Sequence, residues 1–183
     1  GRVKVFNTNK RSILVTMGGI DHYDLSVRLI PILEEISLDI EVNIVIGPYY
    51  ENTKSIKNAA KKSRLTINMF ENVSNIIPII LKSDIALTAG GFTTYELAAM
   101  STPSVGVALW ENQYSNIECL SNKDALIPLY YSQGQGFDQE LTKALSMLVN
   151  DNNLLTDISE KARNAVDGNG ANRISQEITK CYE

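Results

Sequence analysis

Residues 84–116 read DIALTAGGFTTYELAAMSTPSVGVALWENQYSN, and the parsing of this stretch decides the fold. An apolar run over 84–88 leads into Gly90-Gly91. Two hydroxyl residues, Thr93 and Thr94, then open a helical pattern that carries Glu96, and a second apolar run over 103–109 ends at Glu111-Asn112-Gln113. Strand, glycine turn, helix and strand make one unit of an α/β fold. The turn has the chemistry of a phosphate cradle: glycine lets the backbone approach an anion, the unpaired N–H groups of a helix's first turn face it, and threonine hydroxyls add donors. Gly90, Gly91, Thr93 and Thr94 are therefore candidate phosphate ligands. Glu96, one turn into the helix, would repel a phosphate beside it and is better suited to accept from sugar hydroxyls. The same spacing also fits a plain strand-to-helix turn, with Thr93 as N-cap and Glu96 closing a capping box.

Outward from this stretch the alternation continues. A β-branched run over 13–17 ends in Gly18-Gly19, and 24–36 follows with Leu25, Leu29, Ile32, Leu33 and Ile36 at helical spacing, Asp21 standing ready to cap it. Next come a strand over 40–46 closed by Gly47-Pro48, a basic surface helix over 52–62, a strand over 65–69, and a helix over 73–82. Pro78 inside that helix implies a kink or a late start. Past the central stretch the pattern predicts a helix over 114–122, a short strand over 125–129, amphipathic helices over 137–149 and 154–166, and a terminal helix over 171–181. Short, nearly uniformly apolar strands between helices predict a Rossmann-like α/β domain of three layers, built on a six-stranded parallel sheet in the order 3-2-1-4-5-6. Such sheets bind ligands outside the carboxyl ends of the strands, at the switch point between strands 1 and 4. Both Gly-Gly turns follow those two strands and are expected at one mouth.

Composition narrows the classes. The chain has 183 residues, 44% hydrophobic and 21% charged, which suits one globular domain of residues 12–183 with its own core. Residues 1–11, GRVKVFNTNKR, resemble an interdomain linker or remnant. A net charge of −4 argues against a nucleic-acid surface, and no apolar run approaches the roughly 20 residues of a membrane span. Cys119 and Cys181 lie far apart without metal-ligand spacing, so reduced thiols are expected, with no metal and no cofactor. No leader precedes the first strand, and a cytoplasmic setting is expected.

Four segments carry a resemblance to a known family: MGGID at 17–21, AGGFTTYELAAMSTPS at 89–104, ENQ at 111–113 and DGNGANRI at 167–174. Together they resemble the carboxyl-terminal domain of two-domain GT-B proteins. The closest likeness is to the UDP-sugar hydrolases of the pseudaminic-acid pathway and their spore-coat-polysaccharide relatives. A more distant one is to the N-acetylglucosaminyl transferase that makes the lipid-linked peptidoglycan precursor. The resemblance spans most of 13–182. Its glycine-threonine-glutamate segment is shared across the superfamily, whereas MGGID with DGNGANRI points to the hydrolases.

The resemblance implies a UDP-sugar ligand. Backbone groups near Phe70 would hold the uracil edge, Gly90, Gly91, Thr93 and Thr94 the diphosphate, and Glu96 the ribose hydroxyls. Asn112 and Gln113 would reach the sugar or distal phosphate, with Gly18 and Gly19 as the opposite lip. In those hydrolases a histidine that activates water lies in the amino-terminal domain, so the base is expected from a partner domain of the same enzyme. His22, the only histidine, follows the first glycine turn and is an acid/base candidate at a position where the family pattern carries none. Three other readings stay open: a GT-B glycosyltransferase, a stand-alone nucleotide-binding module, and an NAD-type Rossmann domain. MGGID departs from GxGxxG, and no acid closes strand 2, which places the last behind the others.

Overall fold

Strands apolar along their whole length need cover on both faces. In the computed structural model, which describes residues 4–6, 10–37 and 39–182, they have it. Six parallel strands, β1 (Arg11–Thr16), β2 (Ile40–Ile46), β3 (Thr66–Glu71), β4 (Ile85–Ala89), β5 (Ser104–Ala108) and β6 (Ile127–Tyr130), form one sheet in the order β3-β2-β1-β4-β5-β6. The Rossmann-like α/β class and the strand order read from the sequence are those observed. Every residue of β4 and β5 is buried. In β1 the pleat divides the side chains: Ile13 and Val15 join the main core with Leu29 and Leu33 of α1 (Leu25–Ile36), while Leu14 points to the other face. There it meets Ile80 of α3 (Ile77–Lys82) and Leu97 of α4 (Thr93–Ala99).

The remaining helices are α2 (Thr53–Lys62), α5 (Tyr114–Ser121), α6 (Gln135–Asn150), α7 (Asn152–Ala165) and α8 (Gly170–Lys180), with a 3₁₀ turn at Glu111–Gln113. The helix expected over 73–82 starts only at Ile77, with Pro78 in its first turn, where a missing N–H costs nothing. Of the expected linker, residues 1–3 and 7–9 lie outside the described residues. Arg11 already belongs to β1, its Nε donating to the Val149 carbonyl at 3.1 Å. Lys4 Nζ donates to Ile80 O (3.2 Å) and Thr102 Oγ1 (2.6 Å), so burial presses its pKa down to about 8, against the pull of Asp84. Among the described residues no helix is long and apolar enough to cross a membrane.

Candidate functional site

The first turn is set by two backbone conformations. Gly18 takes φ +75°, open to glycine and strained for most side chains, and Asp21 takes φ +47°. The chain therefore doubles back, and the buried Asp21 carboxylate accepts from the N–H groups of Leu25 (2.8 Å) and Ser26 (2.9 Å), capping α1 as expected. Burial pushes its pKa up, hydrogen bonds from Ser26 and Leu25 pull it down, and Asp24 pushes it up again. Asp24 itself accepts from Tyr50 Oη (2.6 Å) and Asn52 Nδ2 (3.0 Å), tying the loop after β2 to the start of α1. That loop presses on the first turn: a Cβ on Gly47 would stand 2.1 Å from Gly18 O and 2.5 Å from Gly19 O, and Tyr49 N donates to Gly19 O at 3.0 Å.

In the second turn the two glycines do different work. A Cβ on Gly90 would lie 2.9 Å from Ile117 Cγ1 and 3.0 Å from Gln113 Cβ, so this glycine admits α5 against the sheet; a Cβ on Gly91 would meet nothing within 4 Å. Asn116 Nδ2 donates to Gly90 O (3.0 Å) and its Oδ1 accepts from Tyr95 Oη (3.2 Å), fixing the turn from outside. The helix is capped by the backbone of Phe92 with no side-chain bond, so the capping box on Thr93 and Glu96 is not formed. Among the described residues, no acceptor faces the N–H of Phe92 or Thr93.

The two turns meet. Gly18 and Gly19 on one side, and Gly91, Thr93 and Gln113 on the other, line one pocket of about 250 Å³ at the carboxyl ends of β1 and β4, with Asp21, His22, Thr88, Leu109 and Trp110 completing much of its wall. Gln113 Oε1 accepts from Leu109 N at 2.9 Å, bracing the end of β5. Among the described residues no lysine or arginine lines the pocket, so an anion there would depend on backbone N–H groups. Among the described residues no cluster of histidine, cysteine or acidic side chains could hold a metal.

Other predicted residues stand apart from this pocket. Thr94 is 1% exposed and its hydroxyl donates to Gly91 O (2.7 Å), holding the turn from behind. Glu96 and Asn112 are exposed, off the pocket wall. Phe70 lines a separate groove with Ser12, Asn43 and Asn68, running across β1, β2 and β3. The DGNGANRI segment is a surface feature: Asp167 pairs with Arg173 at 2.7 Å, which holds its carboxyl well below the usual range, and opens α8. His22 does reach the pocket, packed edge-on against Tyr23 (5.0 Å) and tilted against Trp110 (5.5 Å). Trp110 and Gly47 were missed by sequence reasoning. Trp110 follows a predicted strand directly, beside the Glu-Asn-Gln signal, and that position was available to mark it.

Comparison with known proteins follows the geometry. Superposed on the crystal structure of MurG from Acinetobacter baumannii, 93% of the chain and 50% of that protein match with a TM-score of 0.78 at 21% identity. The fold is that of a carboxyl-terminal GT-B domain. A second match to this GT-B fold is the spinosyn rhamnosyltransferase SpnG complexed with thymidine diphosphate (TM-score 0.66, 16% identity, 91% of this chain and 45% of that one). In sequence, the chain is 22% identical over 175 residues to the spore coat polysaccharide biosynthesis protein SpsG of Bacillus subtilis strain 168, covering 94% of this chain and 51% of that protein. The chain thus spans about half the length of each of these three. No protein-family model matches it.

Proposed function

We propose that the chain is the nucleotide-sugar-binding half of a two-domain enzyme of surface-polysaccharide assembly, and that it grips the diphosphate of a UDP-sugar in the cytoplasm. One observation carries the reading: the turns after β1 and β4, distant in sequence, line a single pocket at the switch point of the sheet, and in the second turn the N–H groups of Phe92 and Thr93 have no hydrogen-bond partner among the described residues. In this reading Gly91 and Thr93 meet phosphate, Gly90 and Thr94 hold the turn in shape, Gly18 and Gly19 form the facing lip, and Glu96 takes the ribose hydroxyls. Backbone groups near Phe70 hold the base, and Asn112 with Gln113 reach the sugar.

A partner domain fits the same surface. Ile20, Tyr49, Phe92, Trp110, Tyr114 and Tyr130 are exposed, and all stand at or after the carboxyl ends of strands, as if that edge were one wall of a cleft. A pocket of about 250 Å³ is also smaller than the roughly 300–1,000 Å³ of complete small-molecule sites. The N–H groups at the start of α4 stabilise negative charge on the phosphate as the glycosyl bond to it breaks, and the other domain supplies the base. Water as acceptor makes the enzyme a UDP-sugar hydrolase releasing a deoxy-diacetamido sugar, the reading to which the MGGID and DGNGANRI segments point, while the match to SpsG supports a role in polysaccharide biosynthesis. A sugar or lipid acceptor makes it a glycosyltransferase, which the likeness to MurG and SpnG favours.

Calorimetric titration of this chain with UDP, UMP, CDP and NAD tests the binding claim. UDP is expected to bind more tightly than UMP, and NAD not at all. Absence of UDP binding, or equal binding of NAD, sinks it. With the complete enzyme, UDP release that requires an added acceptor selects transfer, and release without one selects hydrolysis.

A further inference from the structure

Trp110 is the only tryptophan of the chain, and it stands 48% exposed where β5 leaves the sheet. An indole in that position is normally free to change rotamer, yet this one is buttressed. It lies tilted against His22 (5.5 Å) and Tyr23 (5.6 Å), and Tyr23 stacks on Tyr131 with ring centres 4.0 Å apart and planes 24° off parallel. Tyr131 in turn meets Phe137 edge-on at 5.0 Å, and Phe137 is 1% exposed, rooted in the core. Arg28 locks the pile from the side, its guanidinium 5.9 Å above the Tyr131 ring and donating to the Tyr131 hydroxyl at 3.2 Å. A run of aromatic rings therefore leads from the core to the mouth of the pocket and ends in a half-exposed indole that lines the same pocket as Gly91, Thr93 and Gln113.

A pocket lined by both an aromatic ring and hydrogen-bonding groups suits a ring that is itself two-sided. A pyranose is such a ring, with C–H groups on its faces and hydroxyl or acetamido groups at its rim. We infer that Trp110 is a stacking platform for the sugar ring of the bound nucleotide sugar, and a determinant of which sugars the site accepts. This rests on the nucleotide-sugar reading proposed above. Strand order decides between sugar and base. With β3 at one edge, a base held near Phe70 and a group on Trp110 after β5 lie on opposite sides of the β1–β4 mouth, so the indole faces the far end of the ligand. The rigidity of the pile matters because a platform already in place loses no side-chain freedom on binding.

Because no other tryptophan is present, emission excited at wavelengths that the eight tyrosines do not absorb reads this ring alone. The probes are UDP and UDP-N-acetylglucosamine, titrated into the chain and into its Trp110→Ala and Trp110→Phe variants, with calorimetry alongside and a thermal melt to confirm folding. An aromatic contact contributes about 0.5–1.5 kcal/mol. Trp110→Ala should therefore weaken UDP-N-acetylglucosamine by about three- to tenfold while leaving UDP within about twofold, and Trp110→Phe should keep most of the difference. In the parent chain the sugar nucleotide should shift the emission and UDP should not. Equal emission changes from both ligands place the base or phosphate on the indole and overturn the inference, as does an unchanged ratio of the two affinities in Trp110→Ala. Failure of UDP to bind at all in calorimetry overturns the nucleotide-sugar reading, and this one with it.

Discussion

Gly91→Ala separates folding from binding. The φ of Gly91 lies outside the left-handed region, and an added Cβ meets no atom within 4 Å, so the folded chain accepts a methyl group there. Replacing a glycine at a compatible position removes freedom from the unfolded chain and stabilises by about 0.4–1 kcal/mol. The melting temperature should hold or rise slightly. Gly91 lines the pocket, so on the proposed reading a methyl group there is expected to hold a phosphate away from the N–H groups of the turn. A hydrogen bond to a charged group contributes about 1.5–3 kcal/mol, and losing one weakens UDP by about ten- to a hundredfold. Gly90→Ala is the counterpart: its Cβ falls 2.9 Å from Ile117 Cγ1 and 3.0 Å from Gln113 Cβ, an overpacking that costs about 1–3 kcal/mol. A melt about 2–12 °C lower follows for a chain of this size. Differential scanning calorimetry and UDP titration on both variants check the pair. Unchanged UDP affinity in Gly91→Ala refutes the phosphate assignment of this turn, and a collapsed melt in Gly91→Ala refutes the claim that the space beside it belongs to a ligand.

Three further outcomes are expected. Glu96→Ala should weaken UDP by about tenfold in calorimetry through loss of a charged acceptor to the ribose, and leave the melt unchanged since the side chain is exposed; equal affinity would make Glu96 a solvated surface residue. Asp21→Ala removes the carboxylate that receives the Leu25 and Ser26 N–H groups and should cost about 0.5–2 kcal/mol in urea unfolding, with no loss marking the cap as replaceable by water. Lys4 has its folded pKa lowered to about 8 against 10.5, so between those values the unfolded state holds a proton that the folded state does not. Stability from this group therefore climbs as pH rises from about 8 towards 10.5, and Lys4→Met should flatten that part of the urea-derived stability curve; an unchanged curve would show the ammonium to be well solvated.

The strand order was readable because it follows from local rules. Runs such as ILVTM and IALTA are apolar but for one threonine each, a pattern of strands buried on both faces, and the breaks at Gly18-Gly19 and Gly90-Gly91 mark where helices on opposite faces begin. The convergence of those two breaks on one pocket is topology and could be read before any coordinates. Helix starts were less legible. Pro78 permits a kinked helix or a late start, and only the packing of Ile80 against Leu14 and Leu97 selects the second.

Within the site, residue type alone could not assign work. Gly90 and Gly91 are identical letters, and so are Thr93 and Thr94; what separates each pair is the atoms opposite. Gly90 faces Ile117 while Gly91 faces open space, and Thr94 Oγ1 donates to Gly91 O while Thr93 sits on the pocket wall. Those neighbours come from α5 and from the turn's own backbone, and no pattern within 84–116 specifies them. The same holds for Gly47, which looked like the end of a strand and is instead the place where the loop after β2 passes within bonding distance of the first turn. A larger residue at Gly47 would collide with the Gly18 and Gly19 carbonyls and displace the first turn, which lines the pocket. The shape of the mouth therefore depends on a glycine that never touches its contents, and a search for ligand motifs passes over it.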